Sequence, residues 1–265
     1  MIATGAALAG VPGALAAQRI RSITGSAGDT ARLTPRRDVG TIDGVITDST
    51  LAPLVGAQVT VLSTAVRVGT GPSGRFRIEH VPVGDYVLIV RRAGYEPTSQ
   101  LVQVRATDTL RVAYTLQRAV TSLAPAIVTE ERHSIRLAGF DERRKLGVGE
   151  FMTSAEIEKR NSVFATDLMR RFPSINVSPS HGKGAMAEYY ALSKREGANP
   201  SLGACPMAVF VDNVSMPTPF NLDLLPSPRT IAGIEVYNGP ASAPPQFAGF
   251  NRGCGVILIW TKDGY

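Results

Sequence analysis

Between Val39 and Gln117, apolar and polar residues alternate in short runs broken by turn residues. In "GTIDGVITD", Ile42, Gly44 and Ile46 fall on one side, and Thr41, Asp43, Val45 and Thr47 on the other. "GAQVTVLS" sends Ala57, Val59 and Val61 one way, "GRFRIEHV" sends Phe76 and Ile78, and "DYVLIVRRAGY" sends Tyr86, Leu88 and Val90. "LVQVRA" and "LRVAYTL" complete the set. A period of two puts successive side chains on opposite faces of a strand, so the stretch predicts about seven half-buried strands in an antiparallel sandwich. Turns are expected at "PSG" (72–74), "PVG" (82–84) and "RAGYEP" (92–97), where glycine supplies positive φ.

The pattern changes after residue 118. "LAPAIVTEERHSIRLAGFDERRKL" (123–146) opens as an extended apolar stretch and turns charged, and "DERRK" within it reads as a solvated surface or helix. "MTSAEIEKRN" carries Thr153 followed three residues later by Glu156, the signature of a capping box at a helix start. A second short helix follows Asn161-Ser162, with Val163, Leu168, Met169 and Phe172 apolar, and Pro173 ends it. "SINVSP", "EYYALSK", "MAVFVDNV", "GIEVYNG" and "GVILIWTK" read as strands. Ile234, Val236, Ile257 and Ile259 sit at period two, suited to neighbouring strands of one small sheet. The segment between them holds Gly239, Pro240, Pro244, Pro245, Gly249 and Gly253, which exclude a regular element and predict a surface loop.

Ahead of the sandwich, Ile2 to Ala17 carry no charge and end near Ala14-Leu15-Ala16, the pattern of an apolar signal segment with a small-residue cleavage site, although no lysine or arginine precedes it. Residues 18–38 read as a flexible leader. The domain plan is therefore 1–17 signal segment, 18–38 leader, 39–118 sandwich, 119–144 linker and 145–265 C-terminal domain. Cys205 and Cys254 are the only cysteines. An even count in an exported chain predicts one disulfide, with two unpaired buried thiols as the alternative. The bridge would tie the start of the last strand to the segment just before "PMAVFVD" and make those strands neighbours.

Composition bears mainly on function. Lysine and arginine number 28 against 22 acidic residues, a net charge of +6, but the basic residues are scattered and carry no interleaved aromatics. Nucleic-acid binding is therefore not expected. His80, His133 and His181 are isolated, and neither cysteine has a partner at ligand spacing, so no metal site is expected. A Gly-x-Ser-x-Gly elbow, a phosphate-binding loop and a His-x-x-Glu pair are all missing from the sequence. No enzyme activity and no cofactor are expected.

Two resemblances sharpen this reading. "GTIDGVITD", "PLVGAQVTV", "GPSGRFRIEHVPVGDYVLIVRRAGY" and the closing "VAYTLQ" resemble the carboxypeptidase regulatory-like domain of transthyretin-like fold, a non-catalytic β-sandwich accessory. "EFMTSAEIEKRNSVFATDLMRRFPSINVS", "MAVFVDNVSM" and "RTIAGIEVYNGPASAPPQFAGFNRGCGVILIWTK" resemble the plug domain of TonB-dependent outer-membrane receptors, an α+β unit with a small mixed sheet. Asn213 stands where that family has glycine after the aspartate. The second resemblance implies that Asn238, Gly239, Pro240, Gln246 and Phe247 form a ligand-facing plug loop. It also implies that Ile127, Val128 and Thr129 form an extended energy-coupling segment, which would pair by strand addition with a periplasmic partner. Complete receptors continue into a barrel, and the chain ends at Tyr265 without barrel strands. The expectation is an exported, outer-membrane-associated accessory whose partner is a barrel protein or a TonB-type energy-transducing protein. The alternative is a structural or adhesive module of the periplasm or cell surface that binds carbohydrate or protein.

Overall fold

The computed structural model describes residues 38–119, 129–181, 187–194, 205–239, 241–248 and 253–262. The signal segment and leader expected at the N-terminus lie outside them.

The alternating runs become seven strands: β1 (Val39–Asp48), β2 (Gln58–Val61), β3 (Arg67–Gly69), β4 (Arg75–Pro82), β5 (Gly84–Arg91), β6 (Thr98–Val104) and β7 (Thr109–Leu116). They form a three-stranded sheet in the order β4-β1-β7 and a four-stranded sheet in the order β3-β2-β5-β6. Ile42, Ile46, Phe76, Ile78 and Leu116 of the first sheet meet Val59, Val61, Leu88 and Val90 of the second in one apolar cluster. One expectation needs correcting: the sandwich is not wholly antiparallel, because β1 and β7 pair in parallel from Thr41↔Thr109 to Asp48↔Leu116. A parallel pair needs a long crossover. Here the other five strands supply it, so the first and last strands lie side by side.

The C-terminal part comprises α1 (Thr129–Leu146), β8 (Glu150–Thr153), α2 (Ser154–Arg160), α3 (Ala165–Met169), β9 (Ile175–His181), β10 (Ala187–Ser193), β11 (Ala208–Val211), β12 (Val214–Ser215), β13 (Ile231–Tyr237), α4 (Pro245–Ala248) and β14 (Val256–Thr261). β9 and β10 make a hairpin, and five strands form a mixed sheet in the order β12-β11-β14-β13-β8. Only the β11–β14 pair is parallel. The period-two residues are direct cross-strand partners, Ile234 with Ile259 and Val236 with Ile257. Every position of β13 and β14 is buried because both faces of this sheet are covered. Ile234, Val236, Ile257 and Ile259 pack with Ile157, Leu168 and Met169 on one face. Phe210, Tyr237, Leu258 and Trp260 pack with Phe140 and Phe247 on the other.

The capping box forms as the sequence requires. The Thr153 N–H donates to Glu156 Oε2 at 2.8 Å, and the Glu156 N–H donates to Thr153 Oγ1 at 3.4 Å. Thr153→Ala is expected to cost about 1 kcal/mol, the usual effect of losing a side-chain cap. Chemical denaturation of the variant checks this, and an unchanged midpoint would contradict it.

Arg37–Tyr265 form one compact unit, and the two halves share a core. The alternation expected in β5 points Tyr86, Leu88 and Val90 into the sandwich. Leu88 and Val90 are indeed fully buried, but so are Val87 and Ile89 on the opposite face. Val87, Ile89 and Leu62 join the C-terminal cluster that contains Met216, Phe220 and Leu222. Polar contacts tie the same seam. Ser63 Oγ donates to the Leu224 carbonyl at 2.6 Å, Arg91 Nη2 to the Asp212 carbonyl at 3.0 Å, and Ser99 Oγ to the Ser215 carbonyl at 2.5 Å.

Candidate functional site around the tethered loop

The loop between β13 and β14 is pinned at both ends. Cys205 and Cys254 are disulfide-bonded with their Cα atoms 5.3 Å apart, so the bridge expected from the cysteine count is present. It joins the residues just before the parallel strands β11 and β14, which are neighbours through Ala208↔Val256. Gly255 follows the bridge at φ +101°, and a Cβ there would stand 2.5 Å from the Tyr237 carbonyl oxygen. Only glycine admits the chain at this point. At the other end, Ser193 Oγ of β10 donates to Asn238 Oδ1 at 2.9 Å. Asp212 and Asn213 turn β11 into β12 at φ +46° and +67°, a conformation that asparagine and aspartate tolerate. The Asp212 carboxylate also accepts from the Thr261 N–H at 2.9 Å and the Thr261 hydroxyl at 2.5 Å, which locks the end of β14.

The expected loop residues divide between two roles. Gln246 is exposed and lines a cleft of about 400 Å³, whose other walls include Leu146, Val148, Ala243 and Pro245. Gly239 at φ +122° turns the chain and accepts from Ser242. Pro240 lies outside the described residues. Phe247 departs from the expectation of a ligand-facing side chain. It is 3% exposed and packs edge-on against Phe210 with ring centroids 4.9 Å apart, so it anchors the loop to the sheet. In the expected coupling segment, Ile127 and Val128 lie outside the described residues, and Thr129 is the first residue of α1.

The floor of the cleft holds a network that sequence reasoning missed. Glu235, in the middle of β13, is completely buried. Arg143 of α1 grips it with two hydrogen bonds, from Nε to Oε2 at 2.8 Å and from Nη2 to Oε1 at 2.7 Å. The Tyr237 hydroxyl donates to Oε2 at 2.6 Å and Trp260 Nε1 to Oε1 at 2.5 Å. The Arg143 guanidinium also lies over the Trp260 ring, 5.6 Å from its centroid. Both carboxylate oxygens are thus doubly occupied, and the buried charge is paired and hydrogen-bonded, the condition for tolerating it in an apolar core. "DERRK" is expected to be a solvated surface or helix, and it lies in α1 with Glu142, Arg144 and Lys145 exposed; the segment up to residue 144 is expected to be a linker. Instead, Arg143 and Phe140 dock α1 on the sheet, and Gly233 makes room for the Phe140 ring, which a Cβ would meet at 2.9 Å. The available signal was a lone Glu in the apolar strand "IAGIEVY", which demands a cation from elsewhere.

The network shifts its members. Hydrogen bonding to Glu235 raises Arg143 above the ordinary arginine range. Burial, reinforced by the bond to Glu235, raises the Tyr237 hydroxyl above the ordinary tyrosine range. Burial alone raises Tyr114, and burial together with the hydrogen bond to Glu188 pushes Tyr190 up to about 12. In each case the folded pKa exceeds the unfolded value of about 10. The associated stability is present in full below about pH 10 and is lost as pH rises through the folded values. A spectrophotometric alkaline titration should show Tyr114, Tyr190 and Tyr237 ionising late, together with unfolding. A single early step for all tyrosines would contradict this.

With this geometry in place, comparison with known proteins identifies the sandwich. Residues 41–117 match the carboxypeptidase regulatory-like domain. A search of curated proteins finds no significant match. Among solved structures, the chain is similar to the Bacillus anthracis TIE protein, at 19% identity over 31% of this chain and 17% of that one, with a TM-score of 0.28. A second similar structure is the minor pilin GBS52 of Streptococcus agalactiae, at 20% identity over 34% of this chain and 49% of that one, with a TM-score of 0.29. A third is a type II cohesin–X-dockerin complex from Acetivibrio cellulolyticus, at 25% identity over 32% of this chain and 61% of that one, with a TM-score of 0.28. The chain thus spans less than two thirds of each of these structures. TM-scores this low establish no common fold for the chain as a whole.

Proposed function

We propose that this chain is a non-catalytic, exported binding module of the cell envelope. In this reading the regulatory-like sandwich is a rigid support, and the disulfide-tied loop presents the contact surface. The observation that carries it is the character of the cleft. Its walls are largely apolar, and the Glu235 carboxylate beneath its floor is paired with Arg143 and hydrogen-bonded by Tyr237 and Trp260. Such a surface suits a neutral or apolar contact, and among the described residues lining it there is no acid and no histidine. The disulfide supports residence outside the reducing cytosol. Among the described residues, no helix is long and apolar enough to cross a membrane.

Two finer readings differ in the partner. A structural or adhesive role, with a cell-wall polymer or surface protein in the cleft, is supported by the accessory character of the matched domain and its shared core with the C-terminal sheet. A plug-like role beside a barrel protein or an energy-transducing protein is supported by the resemblance of residues 145–262 to receptor plugs. Full-length oxidised protein can be passed over immobilised peptidoglycan and over an immobilised periplasmic energy-transducing domain. Under the first reading the polymer retains it, Val148→Arg in the cleft abolishes retention, and deletion of residues 125–131 changes nothing. Under the second, only the transducing domain retains it, and that deletion abolishes capture. Turnover on an ester, peptide or glycoside panel would contradict both.

A further inference from the structure

Among the described residues, β6 is an edge strand that pairs only with β5. Edges are a liability that proteins normally blunt with charges, prolines or bulges. β6, "TSQLVQV", contains neither a charged residue nor a proline, and its pairing with β5 runs from Gly84↔Val104 to Val90↔Thr98 without a register shift. Among the described residues, no backbone group outside β5 pairs with its outer edge.

A groove of about 490 Å³ runs along this edge between Ser99 and Leu101 on one side and Met216 and Pro217 on the other. Val87↔Leu101 and Ile89↔Ser99 are cross-strand partners, so these four side chains share one face of the sheet. Val87 and Ile89 are sealed against the C-terminal half, whereas Leu101 is 50% exposed. The apolar row of the internal seam therefore runs out into solvent at the strand edge. An added strand would continue it, placing its own side chains next to Leu101.

Leu101 and Pro217 also wall an adjoining pocket that holds Asp85, Glu188 and Phe220. Asp85 is exposed, and Glu188 accepts a hydrogen bond from Tyr190. Neither carboxylate belongs to an ion pair among the described residues. The pocket thus puts two acids without an ion-pair partner among the described residues at one end of an uncharged strand edge, on a chain whose net charge is +6.

We propose that this groove receives an extended segment of a partner protein, paired to β6 as a fifth strand, with a lysine or arginine of that segment seated against Asp85 and Glu188. Backbone pairing supplies the affinity, and the acidic end supplies register and selectivity. The inference goes beyond the cleft reading and does not depend on it, because the two surfaces share no residue.

Fluorescence anisotropy with the full chain tests it. The probe is a labelled octapeptide of alternating valine and threonine with one terminal arginine. The first control replaces the arginine with glutamate, and the second carries N-methyl groups on alternate amides. The arginine peptide is expected to bind at least roughly tenfold more tightly than the glutamate peptide, a difference of about 1.4 kcal/mol. The N-methylated peptide should not bind, since it cannot complete the ladder. Combining Asp85→Asn with Glu188→Gln should remove the preference for arginine while leaving backbone-dependent binding. Equal binding of the two charged peptides, binding of the N-methylated peptide, or no binding at all would overturn the proposal. So would a dimer in sedimentation that Leu101→Lys dissociates, since the edge would then belong to a second copy.

Discussion

Arg143→Ala is expected to destabilise the protein by roughly 3–5 kcal/mol, the usual effect of breaking a buried pair by removing one partner. The magnitude follows from what remains. Glu235 has no access to solvent, and Tyr237 and Trp260 satisfy only part of its hydrogen-bonding capacity. Without the guanidinium, the carboxylate must either stay charged in an apolar core or take up a proton there. α1 would also lose one of its anchors on the sheet, leaving Phe140 and Leu137 to hold it. Arg143→Met combined with Glu235→Gln should recover most of the loss, because the amide oxygen still accepts from Trp260 and no net charge remains buried. A double-mutant cycle by denaturant titration measures this coupling. A single-variant effect below about 1 kcal/mol would place the pair in the class of weak surface contacts and contradict the buried geometry.

Loss of the disulfide is the second large effect. The bridge joins residues 49 positions apart. On the chain-entropy model, closing a loop of that length stabilises the folded state by roughly 4 kcal/mol, through restriction of the unfolded chain. The double variant Cys205→Ser, Cys254→Ser should therefore unfold at a markedly lower denaturant concentration, as should the wild type under strong reductant. The cleft should suffer more than the sandwich. The bridge sits where the loop re-enters the sheet, and Gly253 and Gly255 beside it both take positive φ. Binding at the cleft should weaken on reduction even under conditions where the fold survives. Equal midpoints with and without the bridge would contradict this account.

The sandwich was legible because its signal is local. Ile42, Ile46, Val59, Val61, Phe76 and Ile78 follow a period of two, and each is buried as that period requires. The capping box at Thr153 and the pairing of Ile234 with Ile259 were legible for the same reason. What escaped notice was long-range. Alternation in β5 predicts one face in and one face out, yet "YVLIV" is a continuous apolar run, the mark of a strand covered on both faces. The partner that covers it is more than a hundred residues away and leaves no periodicity of its own. The Glu235 network escaped similarly, since "DERRK" looks solvated until α1 lies across β13. Phe247 looked like a loop aromatic open to ligand, and only the position of Phe210 shows that it is an anchor. The exposed face of β6 was likewise hidden, because whether a strand is central or at an edge depends on sheet order.

The most direct measurement asks whether the two halves are one body. Trp260 is the only tryptophan and lies in the C-terminal sheet, while Ile89 lies in the sandwich. Ile89→Ala should cost about 2–5 kcal/mol as a buried large-to-small change. If the seam is a shared core, Trp260 fluorescence and far-ultraviolet circular dichroism should report the same unfolding midpoint, and the substitution should lower both together. A Trp260 transition that stays in place while the sandwich alone is destabilised would contradict the account.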